Sequence, residues 1–105
     1  MNYLQITGYG FSNVKGKRLF VKLNNNKIYH FGYKFGQTFL DHKDEKKKEG
    51  YKKRHLGNET ERKRIEGLIP SPALFSFYLL WNTTDLLENI KYLNYLFTHH
   101  HIHRT

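Results

Sequence analysis

Two strand-forming runs separated by a four-residue break constrain this fold more than any other feature. Leu19-Phe20-Val21-Lys22-Leu23 is followed by Asn24-Asn25-Asn26-Lys27, and Ile28-Tyr29-His30-Phe31 then runs to Gly32. Asparagine accepts the left-handed backbone of a tight turn, so the pattern predicts a β-hairpin. An isolated hairpin is marginal in water and must pack on something. Tyr3-Leu4-Gln5-Ile6 is the expected third strand, ahead of a flexible Gly8-Tyr9-Gly10. The expected fold class is α+β: a small single domain with an N-terminal β-hairpin or three-stranded antiparallel sheet, followed by about three helices.

Asp41 to His55 reads as one helix with a charged exposed face. Asp44 suits its N-cap, and Lys52, Lys53 and Arg54 suit its last turn. Gly50 costs this helix about 1 kcal/mol relative to alanine and is expected to mark the approach of another backbone. Glu59 to Glu66 is a second charged helix, closed by Gly67. Ser71-Pro72 opens an apolar helix, with a serine cap and proline where the missing N–H does no harm. Leu74, Phe75, Phe77, Tyr78, Leu79 and Trp81 make it apolar nearly all round, which predicts burial. Asp85 and Glu88 form a capping-box pattern for the last helix, and Leu86, Ile90, Leu93 and Phe97 form one stripe along it. The expected core is Phe20, Phe31, Phe77, Trp81, Leu86, Ile90 and Leu93. The domain is expected to span residues 1–98, with a His-rich tail over 99–105.

A chain of 105 residues has room for one domain of this kind. The lack of cysteine excludes a disulfide scaffold, a zinc ribbon and a cysteine nucleophile. The net charge of +9 is unevenly placed. Met1 to Leu40 holds six bases and no acid, Asp41 to Glu66 ten bases and seven acids, and Gly67 to Thr105 two of each. A one-signed basic surface attracts a polyanion or an acidic protein face. Leu74 to Trp81, the longest apolar stretch, is far short of the ~20 residues a membrane span needs. With no signal-peptide pattern at the start, residence or assembly inside a cell is expected, with no membrane span.

The catalytic pattern closest to hand is Asp41-His42-Lys43-Asp44, with His55 further on. Adjacent residues do not share a helix face, so the carboxylates read as caps and His42 as a locally bonded or packed ring. No nucleophile turn or phosphate loop is present. A non-enzyme without catalytic residues, cofactor or dedicated metal is expected, and the terminal histidines read as adventitious metal binders. For binding, Lys15, Lys17, Arg18, Lys22 and Lys27 surround the hairpin, while Lys47, Lys52 and Arg54 lie among the bases of the first helix. These would meet phosphates or acidic side chains, and Tyr29, Phe31 or Tyr33 could stack on bases. For protein assembly, the apolar run from Leu68-Ile69-Pro70 into Leu74–Trp81 offers more surface than a domain of this length need bury, against the reading of a core of large residues in which Trp81 is an anchor.

His30-Phe31-Gly32, Asp41-His42-Lys43-Asp44, Tyr51-Lys52-Lys53-Arg54-His55 and Leu79-Leu80-Trp81-Asn82 occur in that order before the last helix. This order resembles a family of small, basic, uncharacterised proteins of large nucleocytoplasmic DNA viruses of algae and protists. The resemblance spans roughly Ile28 to Tyr92 and carries no catalytic residue over. It implies a viral protein located in the virion and assembled in an infected host cell. The expected role is a minor capsid component that links or stabilises the shell through contacts with capsid or other virion proteins. The alternative is a basic DNA-associated packaging or condensing protein, with nucleic acid as partner. Glu45, Glu49, Glu59, Glu61 and Glu66 interrupt the bases and favour specific protein contacts.

Overall fold

The computed structural model describes residues 3–100. Its sheet has the order β1-β2-β3, with β1 Ile6–Phe11, β2 Lys17–Leu23 and β3 Ile28–Tyr33, all antiparallel. The hairpin turn stands at Asn24–Lys27, with Asn26 in the left-handed region at φ 69°. The third strand exists but lies further along than Tyr3–Ile6. The Gly8-Tyr9-Gly10 segment is itself strand, because Gly8 and Gly10 pair with Lys22 and Phe20 on the outer sheet face. There the Phe20 ring covers Gly10, and a Cβ on Gly10 would sit 3.0 Å from Phe20 Cε1. Phe20 is therefore not a core residue. It is half-buried on the outer face, shielding glycine backbone and lying 6.1 Å from the His30 ring.

The inner face of the hairpin carries Leu19, Val21, Leu23 and Phe31, all buried. Against it pack α4 (Pro72–Phe75), a π-helical turn continuing from it over Ser76–Leu80, and α5 (Leu86–His100). Leu74, Phe75, Leu79 and Leu80 join Ile90, Leu93 and Phe97 in this main core. A second core of Tyr51, Ile65 and Phe77 lies between α2 (Glu45–Gly57), α3 (Glu59–Glu66) and the π turn. The Leu74–Leu80 segment is apolar nearly all round because it serves both cores. Tyr78 and Trp81 pack against each of them, and Leu86 packs against the first; Trp81 and Leu86 are half-buried rather than fully enclosed.

The expected single helix from Asp41 is two. The first, α1, is Phe39–His42, and Lys43 breaks it at φ 57° before α2 begins. Asp44 caps α2 by accepting from the amides of Lys46 and Lys47. Asp41 is held elsewhere: it accepts from the Thr38 amide at 2.8 Å and takes both Arg18 guanidinium nitrogens at 2.8 Å. The two carboxylates thus serve two separate helix starts, and the chain turns between them.

Asp85 opens α5 by accepting from the Glu88 amide. The helix runs through His99 to His100, the first two residues of the His-rich segment. The rest of the His-rich segment, residues 101–105, lies outside the described residues. Midway along α5, Asn94 accepts from the Ile6 amide and donates to its carbonyl, pinning the start of β1 where the register shifts. No helix among the described residues is long and apolar enough to cross a membrane.

Candidate functional site

Four rings from three segments stack in a ladder: His42, Trp81, Tyr51 and His55. Trp81 and Tyr51 are nearly parallel, with centroids 4.2 Å apart and 7° between planes. The His55 ring lies 4.0 Å from Tyr51 at 33°, and the His42 ring lies 5.3 Å from Trp81 at 57°. Tyr51 and His55 meet because they are four residues apart on α2, one turn of the same face. Trp81 reaches them because the π turn delivers it to the gap between the two cores.

Each end of the ladder is fixed by a polar contact. His55 Nδ1 lies 2.6 Å from Glu61 Oε2. A carboxylate only accepts, so the ring proton sits on Nδ1 and Nε2 is left for another partner. His42 Nδ1 accepts from the Asp44 amide at 3.0 Å, so its ring proton sits on Nε2. That buried Nε2 has no hydrogen-bond partner among the described residues. Tyr51 is hydrogen-bonded to Ser76, and burial, with Glu61 adding to it, pushes its phenol well above the ordinary range. It remains a neutral packing and hydrogen-bonding group.

A continuous groove runs along this ladder. One cavity of about 360 Å³ is lined by Gln37, His42, Lys46, Lys47, Gly50, Arg54 and Trp81. It shares Gln37, Arg54 and Trp81 with a second of about 290 Å³, which reaches Gly32, Tyr33, Tyr51, His55 and Ser76. Those five also line a third, of about 300 Å³, which adds Lys17 and Glu61. Gly32 forms the junction at φ 80°, and a Cβ there would lie 3.0 Å from Leu80 Cδ1 and 3.2 Å from Arg18 Cβ. Only glycine lets β3 pass the π turn this closely. Gly50 meets no other backbone, contrary to expectation. The atom nearest to a Cβ there is Arg54 Nη1, at 3.6 Å, and the missing side chain leaves room for the first cavity.

The basic residues singled out from the sequence do not form one surface. Lys47 and Arg54 line the groove, and Lys17 lines its far end. Arg18 is occupied by Asp41, and its guanidinium holds the Asp41 carboxyl down to about 2. Lys52 lies 5.7 Å over the Phe77 ring, where its charge meets the ring face. Lys15 is exposed just before β2, beside Lys17. Lys22 and Lys27 are exposed towards the hairpin turn, at the end of the sheet opposite the Lys17–Tyr33 pair. Of the proposed stacking rings, Phe31 is fully buried and Tyr29 packs on Phe75 at 5.4 Å, which leaves Tyr33. The apolar run from Leu68 to Trp81 is likewise spent on the two cores, with Ile69 the large side chain it leaves exposed.

Exposed aromatic surface lies instead at the groove end of the sheet. Phe11 is 89% exposed, Phe35 77% and Tyr33 66%. Tyr33 and Phe35 pack edge to face at 5.9 Å, and Lys34 lies 5.9 Å over Phe35. Phe11 stands on the edge strand β1 opposite Leu19, two strands across from Phe31. Sequence reasoning singled out Tyr33 but not Phe11 or Phe35, which stand beside Gly10 and Gly36 outside the strand-forming runs.

Residues 10–55 match the model of a family described as a family of unknown function (DUF5754). The match takes in β2, β3, α1 and α2 as far as His55, and so three of the four ladder rings. No curated protein and no solved structure matches the chain. Among the described residues no group of three His, Cys, Asp or Glu side chains is arranged to hold a metal ion.

Proposed function

We propose that this chain is a non-enzymatic structural component of a virion, a minor capsid protein that links shell proteins through protein–protein contacts. The observation that carries this reading is the exposure of Phe11 and of the packed pair Tyr33 and Phe35, with Lys34 over the Phe35 ring and Lys17 opposite Tyr33 in the sheet. Large apolar side chains left in water beside cations are what a partner with an apolar centre and an acidic rim would bury. The viral setting rests on the ordered motifs noted above, three of which meet at the ring ladder.

The test mixes the purified protein with DNA-free capsid shells and follows co-sedimentation. Replacing Phe11 and Phe35 by serine removes exposed side chains, so folding stability is expected to stay within about 0.5 kcal/mol. Co-sedimentation is expected to be lost. A double variant that still co-sediments would overturn the reading. So would a wild-type protein that ignores shells but binds duplex DNA with an affinity falling steeply with salt.

A further inference from the structure

We propose that the cavity between α1, α2 and Trp81 is a binding site for the phosphate group of a phosphate ester. Lys46, Lys47 and Arg54 all line it, and no carboxylate does. None of the three forms an ion pair with a carboxylate among the described residues, in contrast to Arg18, Lys63 and Lys91. The acids that interrupt this helix in sequence, Glu45 and Glu49, are exposed and lie off the cavity lining. Three cations without a counter-charge around one concave space repel one another, and a bound anion relieves that repulsion.

His42 points to an oxygen-rich anion independently of the charges. Its Nε2–H is a buried donor without an acceptor, on a ring that lines this cavity. Leaving such a donor unpaired is unfavourable, and a small turn of the ring that brings Nε2 to the cavity surface would let a ligand oxygen satisfy it. The α2 amides do not contribute, since Asp44 already accepts from those of Lys46 and Lys47. Recognition therefore rests on side chains: Arg54 offers a planar fork, the lysines offer point charges, and Trp81 supplies an apolar wall. The site is separate from the Phe11–Phe35 patch and does not depend on the shell-linking reading.

Trp81 is the single tryptophan of the chain, so its fluorescence reports on this cavity directly. The experiment titrates the full chain with inorganic phosphate, a nucleoside monophosphate and a short duplex DNA, against sodium chloride at matched ionic strength. A saturable change with the phosphate-bearing ligands, absent with chloride, is expected. Arg54→Gln and Lys47→Gln alter exposed side chains and are each expected to weaken binding about tenfold. Lys27→Gln, at the far end of the sheet, is expected to leave it unchanged. Tighter binding of duplex than of monophosphate assigns the phosphate to a polymer, and equal binding per phosphate assigns it to a small ester. A response that chloride reproduces, or one that Arg54→Gln and Lys47→Gln leave intact, would overturn the proposal.

Discussion

Asn89 is fully buried and was not visible as a core residue in the sequence, because its stripe neighbours are apolar and it reads as a polar interruption. Its Nδ2 donates to the carbonyls of Leu79 and Thr83, and its Oδ1 accepts from the Thr83 amide at 3.1 Å. It therefore closes the π turn and fastens it to α5. Asn89→Leu keeps the branching of the side chain but adds volume and strands these groups, so a loss of about 2–4 kcal/mol is expected in denaturant unfolding. Asp41 gives a pH signature. Arg18 holds its carboxyl at about 2 rather than the ordinary 3.8, so the stabilisation is complete above pH 4 and is lost as pH falls towards 2. The pair is partly exposed, and solvent screening keeps its worth near about 1 kcal/mol. Asp41→Asn should be less stable at neutral pH and should lose less stability than the wild type between pH 4 and pH 2.

At the scale of elements, the hairpin was legible because strand-forming runs and an asparagine turn are local signals. The helix starts at Asp44, Asn58, Ser71 and Asp85 were legible in part for the same reason, and the structure shows each of these side chains accepting from a first-turn amide. The break at Lys43 was not legible. It accompanies the engagement of Asp41 by Arg18, 23 residues away, which the local sequence does not show. Gly50 tests how α2 is composed. Its missing side chain meets nothing closer than 3.6 Å, so Gly50→Ala is expected to raise stability by about 0.5–1 kcal/mol in thermal or urea unfolding. Trp81 links α2 to the π turn through its stack on Tyr51. Trp81→Ala should cost about 3 kcal/mol, less than a fully buried tryptophan at the upper end of the range for such truncations.

For the molecule as a whole, the sequence divides into a basic hairpin half and a neutral aromatic half, and the fold places the ring ladder between them. The ladder was not legible from spacing, since its rings stand at positions 42, 51, 55 and 81 and share no period. What the ordered motifs held in common became visible only in space: Gly32, His42, Tyr51, His55 and Trp81 all line one groove. The exposed aromatic patch beside it and the uncompensated cations within it are the two surfaces through which this domain would act. On the proposed function, the first of these holds the protein to a capsid shell. Gentle disruption of virions, followed by separation of DNA-free shells from genome cores, tests that most directly. The protein is predicted to travel with the shells and to stay there after nuclease treatment. Recovery with the cores, and release from them by nuclease, would contradict it.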